Sequence, residues 1–406
     1  MIVRHCILFD QTDIFGKRIG GAETFLRGMI KYAPQNFKVS VVGTTIDTIQ
    51  RPLGRWTKLS LDNREFDYLP IMFEGDENHK SAIPLSLRYT LALSRLRIDT
   101  RGKVLYFNRI EPSVLFSPAF CAKIVTIHND IESQIMRCNG SEALWSKMPF
   151  LYKLFERYAF KSIDHLYTVS ENSVRYYHLC YPDMIDKVSF LPTWLDPDIF
   201  SPSDRNKIDI RKSIIPTQHR DKMSVRWILF VGRLQEQKAP LRLIEAFKRY
   251  YDADRNSALL VVGDGNFREQ MLEEARRQGL AERIIHIKYL PQSQLVDFYR
   301  AADVLLLVSN YEGMPISVLE AMGCGLPVVS TRVGEVPRVV KNGFSGEIIE
   351  SFDAAEIAVG LKKVLAEPSM YTRENCLASI QDFVPTKVLE PVFKKMIDLC
   401  ELKSKG

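Results

Sequence analysis

Residues 310–331 read NYEGMPISVLEAMGCGLPVVST, and ADVLLLVS precedes them at 302–309. An apolar run of strand length gives way to a loop holding Glu312 and Gly313. Pro315 is well placed as a first helical residue. A short helix over 316–322 then breaks at the glycines before a second strand, PVVST. Strand, helix and strand in this order form a parallel βαβ unit, and the fold expected is α/β. Glu320 lies about five residues into the helix, roughly 7–8 Å along its axis at ~1.5 Å per residue. The two carboxylates therefore suit two ends of an elongated ligand, while the N–H groups of the helix start favour negative charge between them. Glu320 sits in a segment otherwise apolar or small. A carboxylate buried there without a partner would be costly.

The same alternation runs outward in both directions. Strands are predicted at HCILF, FKVSVVG, KVLYFN, KIVTIH and HLYTVS in the first half, with helices at 22–33, 147–162 and 171–180. In the second half the strands are RWILFVG, ALLVVG, IIHIKYL, DVLLLVS, PVVST and GEIIE, separated by helices at 240–251, 267–278, 292–301, 316–322 and 354–366. The proline- and aspartate-containing LPTWLDPDIFSPSDRNK is a poor strand or helix and marks the join. Two Rossmann-like domains are expected, 1–192 and 193–384, facing each other across a cleft, with an amphipathic helix at 385–403 able to pack back on the first. In such sheets ligands sit beyond the carboxyl ends of the strands.

One such end is ILFVGRLQEQKAP, a strand, a glycine turn, and Arg233 and Lys238 around the entry to a helix. Two cations at a helix start suit a phosphate-bearing ligand, although solvated surface charges give the same pattern. The spacing G-R-L-x-x-x-K together with E-x7-E at Glu312 and Glu320 resembles the retaining GT-B glycosyltransferases of family 4, the group 1 glycosyl transferases. The glycine loop G20-G21-A22-E23, His128 closing KIVTIH, VVGDG and LPVVST follow in the order of that family. The resemblance covers nearly the whole chain.

The resemblance implies transfer of a sugar from a nucleotide diphosphosugar, with retention and without a metal or other cofactor. By it, Arg233 and Lys238 hold the diphosphate and stabilise the leaving group, and the amide of Gly21 faces the same phosphates. Glu312 and the backbone of Gly313, Met314 and Ile316 hold the donor sugar, Glu320 the ribose, and His128 lies beside the reacting sugar. The catalytic set is then His128, Arg233, Lys238 and Glu312. The chain departs from the family pattern in three places. Thr193-Trp194-Leu195-Asp196 stands for the common Asn-Gly-Val-Asp, Tyr289 for a glycine near the base pocket, and Thr24 for an arginine after G-G-A-E. The choice of UDP- or GDP-sugar stays open.

Composition narrows the rest. A net charge of +6 with no nucleic-acid motif argues against nucleic acid as a partner. Seven scattered cysteines with no C-x-x-C pair read as reduced thiols. The start, MIVRHCILFDQTD, lacks signal-peptide anatomy, and no apolar run reaches the ~18 residues of a membrane span, so a cytoplasmic location is expected. Asp196–Asp198 and Asp252–Asp254 have the D-x-D spacing of a metal site, a pattern that arises readily by chance. VGDGNFREQ puts Arg268 where a dinucleotide fingerprint needs its third glycine. A non-catalytic sugar-nucleotide-binding partner and a nucleotide-sugar epimerase are the alternative functions. The acceptor expected is a glycan or lipid-linked molecule of cell-envelope polysaccharide synthesis. Residues 81–103 set Arg95, Arg97 and Arg101 among leucines, as a peripheral contact with anionic membrane would, though a core-facing helix with a solvated basic side is the commoner use.

Overall fold

The computed structural model describes residues 4–16, 21–74, 83–128, 149–215 and 217–404. Among these the chain divides into two compact units, Met1–Pro192 with Pro385–Gly406, and Thr193–Val384.

In the second unit six strands lie in the order β11-β10-β9-β12-β13-β14, all neighbours parallel. They are β9 (Arg226–Val231), β10 (Ser257–Val262), β11 (Ile284–Ile287), β12 (Val304–Leu307), β13 (Val328–Thr331) and β14 (Gly346–Ile349). Helices cover both sheet faces, so the strands are apolar on both sides. Trp227, Leu229, Leu305 and Leu307 face one core, and Ile228, Phe230, Val304 and Leu306 the other. Counted from β9, the order is 3-2-1-4-5-6, the doubly wound arrangement. Its winding reverses between β9 and β12, so the loops after these two strands border a crevice. Those loops carry Arg233 with Lys238, and Glu312.

The first unit holds an eight-stranded sheet in the order β3-β4-β2-β1-β5-β6-β7-β8. Its strands are β1 (Arg4–Phe9), β2 (Phe37–Thr45), β3 (Thr57–Leu61), β4 (Arg64–Phe73), β5 (Val104–Phe107), β6 (Ala122–Ile127), β7 (His165–Thr168) and β8 (Val188–Phe190). Winding reverses between β1 and β5, whose ends carry Asp10 and Asn108. The strands β3, β4 and β8 go beyond the five predicted for this half. β3 and β4 form the only antiparallel pair among the described strands, joined through Asp62 and Asn63, both at positive φ (48° and 62°). Asp and Asn tolerate that conformation, which a two-residue hairpin needs. Pro70 cannot donate to a sheet, but β3 pairs β4 only up to Tyr68, so no N–H is needed from it on that side.

Helix Pro385–Ser404 packs on the first unit. Phe393 meets Phe37 with ring centroids 5.6 Å apart. Lys403 pairs with Asp164 at 3.1 Å and Arg4 with Glu401 at 2.7 Å.

Within 81–103, residues 81 and 82 lie outside the described set, and the helix runs only over Leu85–Leu93. Tyr89 and Leu93 enter the core, and Leu96 and Ile98 pack against it. Arg95, Arg97 and Arg101 follow the helix rather than lining it, and all three are exposed. Among the described residues no helix is long and apolar enough to cross a membrane.

Candidate functional site

The loop after β9 is built to bring its lysine back over the sheet. Gly232 donates its N–H to Val262 O at 3.0 Å. The chain then makes a single turn over Glu236–Lys238 and enters the helix Pro240–Ala253 through Ala239, a left-handed residue at φ 47°. A Cβ on Gly232 would touch Lys238 Cε at 3.4 Å, so the lysine stem lies across the glycine. The VVGDG loop locks this arrangement from β10. A Cβ on Gly263 would fall 1.8 Å from Gly232 O, and one on Gly265 2.3 Å from Leu234 O. Only glycine allows the two backbones so close.

The loop after β12 laces onto the same turn. Asn310 donates its backbone N–H to Gln237 O and its side-chain amide to Glu236 O, both at 2.8 Å. Gln237 Nε2 donates to Tyr311 O at 3.1 Å and to Glu312 Oε2 at 3.4 Å. At the centre Lys238 Nζ donates to Glu312 Oε1 at 2.5 Å. Gly313 O accepts from Glu335 N at 2.9 Å, and Thr193 Oγ1 reaches Met314 O at 3.4 Å. Thr193, which departs from the family pattern, thus braces the loop after β12. Arg233 is exposed on the rim of the turn, with no side-chain hydrogen bond or ion pair among the described residues.

Pro315 caps the following helix instead of starting it, and Ile316–Gly323 is helical. Its phase puts Glu320 inward, 6% exposed. Tyr299 OH donates to Glu320 Oε2 at 2.7 Å. Burial pushes the Glu320 carboxyl up to about 7, against a smaller lowering by that hydrogen bond. The sequence reading missed Tyr299. Its position in an amphipathic helix looks like any core tyrosine. The cost of an unpaired carboxylate at 320 was the signal that such a partner had to exist.

In the first unit, Gly21 begins the helix Gly21–Lys31, while Gly20 lies outside the described residues. His128 follows β6, its ring edge-on to Phe25 at 5.0 Å between centroids. Its Nε2 lies 3.1 Å from Asn108 Oδ1. Desolvation of the imidazolium, with repulsion from Arg109, lowers His128 to about 4, so the ring is neutral near pH 7.

Thus β9 and β12 bring Arg233, Lys238, Glu312, Gly313 and Met314 to one crevice, and the next helix adds Ile316 and Glu320. Two cations, helix-start N–H groups and two carboxylates form a site able to hold an anionic group flanked by hydroxyl-bearing ones.

Residues 212–378 match the family described as glycosyl transferases group 1. A D-inositol 3-phosphate glycosyltransferase from Segniliparus rotundus is 30% identical over 196 residues, 47% of this chain and 41% of that protein. The chain spans less than half the length of the first curated relatives it matches, 41%, 43% and 49%. Among solved structures, sucrose-phosphate synthase from Thermosynechococcus elongatus superposes with a TM-score of 0.77 at 17% identity, covering 99% of this chain and 100% of that one. Anabaena HepE in complex with UDP-glucose gives 0.68 at 15% identity, over 97% of this chain and 99% of that one. The chain therefore carries the GT-B fold along its length, and its second domain is a glycosyl transferases group 1 domain.

Proposed function

We propose that the protein is a retaining glycosyltransferase that moves a sugar from a UDP- or GDP-sugar to a glycan or lipid-linked acceptor in cell-envelope polysaccharide synthesis. The observation that carries this reading is the Lys238–Glu312 pair at the switch point of the second sheet, with Glu320 one helical stretch behind it. Arg233 and Lys238 take the diphosphate. Glu312 accepts hydroxyl protons of the transferred sugar beside the N–H groups of Gly313, Met314 and Ile316, and Glu320 binds the ribose. Gly21 and His128 of the first domain serve the phosphates and the sugar. The presence of UDP-glucose in the HepE structure, at the same fold, supports a nucleotide sugar as donor. In this reading Tyr289, which stands after β11 where the family pattern has a glycine, influences the choice of base.

In the proposed step the bond from the sugar's anomeric carbon to the phosphate oxygen breaks, and the acceptor hydroxyl oxygen attacks from the same face. Its proton passes to the leaving phosphate. Lys238 and Arg233 stabilise the negative charge that gathers there, a task that needs no metal ion. The test is release of nucleoside diphosphate from UDP- and GDP-sugars with a glycan acceptor panel, run with and without EDTA. Transfer that persists in EDTA supports the reading. Transfer abolished by EDTA and restored by manganese overturns its metal-free part, and donor turnover to an isomer without acceptor points to the epimerase.

A further inference from the structure

Three neighbouring strands of the first sheet are each followed by a polar residue: β1 by Asp10, β5 by Asn108 and β6 by His128. Asp10 and Asn108 sit where the winding reverses, and they are only 4% and 6% exposed. Asp10 Oδ1 accepts from the backbone N–H of Thr12 at 2.9 Å and from its hydroxyl at 2.5 Å. Asp10 Oδ2 accepts from Asn108 Nδ2 at 2.5 Å. Burial pushes the Asp10 carboxyl up, and its bonds to Thr12 and Asn108 oppose that shift.

This chain of contacts removes the usual ambiguity about an amide and a histidine. In its ionised form, which the bonds from Thr12 and Asn108 favour against burial, the Asp10 carboxylate only accepts hydrogen bonds, so the NH2 of Asn108 faces Asp10. A rotated amide would set its oxygen against a carboxylate oxygen at hydrogen-bonding distance. Asn108 Oδ1 then faces His128, and an amide oxygen also only accepts. The nitrogen 3.1 Å from it must therefore carry the proton. In a neutral ring the other nitrogen, Nδ1, then carries no proton and accepts.

We propose that Asp10 and Asn108 are positioning residues that hold His128 as its Nε2–H tautomer, leaving Nδ1 to accept a hydrogen bond from a hydroxyl of the bound sugar. The sugar part rests on the transferase reading, whereas the tautomer does not. His128 accordingly orients a hydroxyl and does not deliver a proton to the leaving group. The order runs from Asp10 through Asn108 to His128, so a change at Asp10, which does not touch the ring, decides which ring nitrogen is protonated.

The test reads the two nitrogens of His128 in 15N-labelled full-length protein by long-range 1H–15N correlation at pH 7.5, assigned by comparison with His128→Gln. The wild type is expected as the Nε2–H form. In Asp10→Asn the new side chain keeps its oxygen on the Thr12 donors and turns its NH2 to residue 108. The Asn108 amide then rotates, its NH2 faces the ring, and His128 converts to the Nδ1–H form. Asn108→Ala removes the constraint and gives a mixture of tautomers. Should Asp10→Asn fold poorly, Asn108→Ala still decides. A wild-type ring in the Nδ1–H form overturns the proposal, as does a folded Asp10→Asn or Asn108→Ala that keeps the wild-type tautomer unchanged. In transfer assays Asp10→Asn is expected to lower kcat by at least tenfold with donor KM within about twofold, a split that general loosening would not produce. Because the spectra need no substrate, inversion of the tautomer in a chain that transfers no sugar supports the relay and contradicts the transferase reading.

Discussion

Lys238 Nζ lies 2.5 Å from Glu312 Oε1, and the two side chains are only 15% and 7% exposed. Such a pair is uneven in its energetics. Its presence adds little over an apolar replacement, but removing one partner leaves a charge out of water. Lys238→Met and Glu312→Met are each expected to destabilise the protein by about 3 kcal/mol, and the two together by clearly less than the sum of the singles. Urea unfolding of the four proteins of the cycle measures it. Additive losses would mean that the pair does not bear on stability.

Glu320 should make the protein sensitive to pH in an unusual direction. Its carboxyl is raised from 4.5 to about 7 by burial, so the folded state holds a proton that the unfolded state has already released. Between these values stability falls as pH rises. Glu320→Gln should match wild type near pH 4 and exceed it at pH 8, by up to about 3 kcal/mol at ~1.4 kcal/mol per pH unit. Nucleotide binding should show the opposite trend. A ribose hydroxyl prefers the ionised carboxylate, so affinity should climb through about pH 7 in wild type and stay flat in Glu320→Gln. Unfolding curves and titration calorimetry at pH 5, 6, 7 and 8 check both.

Gly263 and Gly279 separate close approach from mere conformation. Gly263→Ala puts a methyl 1.8 Å from Gly232 O at a φ of 154°, and β9 and β10 must part at their ends. A loss above ~3 kcal/mol is expected, the range of severe backbone and packing conflicts, with weaker nucleotide binding because Gly232 carries the turn to Lys238. Gly279 is also left-handed, at φ 69°, but has open space around it. Gly279→Ala should cost only about 1–2 kcal/mol, the price of that conformation alone. Thermal unfolding of both variants distinguishes them.

The two carboxylates should fail differently in catalysis. Ribose does not react, so Glu320→Gln should mainly raise the donor KM. The sugar that Glu312 is proposed to hold changes charge and shape on the way to transfer, so Glu312→Gln should lower kcat, by about 100-fold if it supplies ~3 kcal/mol to the transition state. Steady-state kinetics at saturating acceptor, with folding verified, decides. A Glu312→Gln enzyme with normal kcat would remove that residue from its assigned place.

The second sheet was legible because its strands are buried on both faces. WILFV and VLLL are continuous apolar runs bounded by glycine or polar residues, and each lies in the strand it looked like. β3 and β4 were hidden by mixed polarity and Pro70, since strands on the outer side of a sheet need not be apolar throughout. For the site, spacing along the chain pointed to Arg233, Lys238, Glu312 and Glu320 because loops after neighbouring strands converge at a switch point. Tyr299, Gln237, Asn108 and Asp10 were not legible as partners. Their roles depend on which helices and strands lie side by side, and nothing local in DFYRA or FDQTD records that.

If Arg233, Lys238, Glu312 and Glu320 together hold a nucleotide diphosphosugar, as proposed, the binding itself is measurable. Titration calorimetry of wild type and Arg233→Ala against UDP-, GDP- and ADP-sugars, in EDTA at pH 7.5, uses a variant whose exposed side chain contributes little to folding. Saturable binding of at least one donor to wild type is expected, with a weakening of tenfold or more in Arg233→Ala and an unchanged unfolding temperature. Binding equal in the two proteins, or no binding of any nucleotide diphosphosugar to folded wild type, would contradict the proposal.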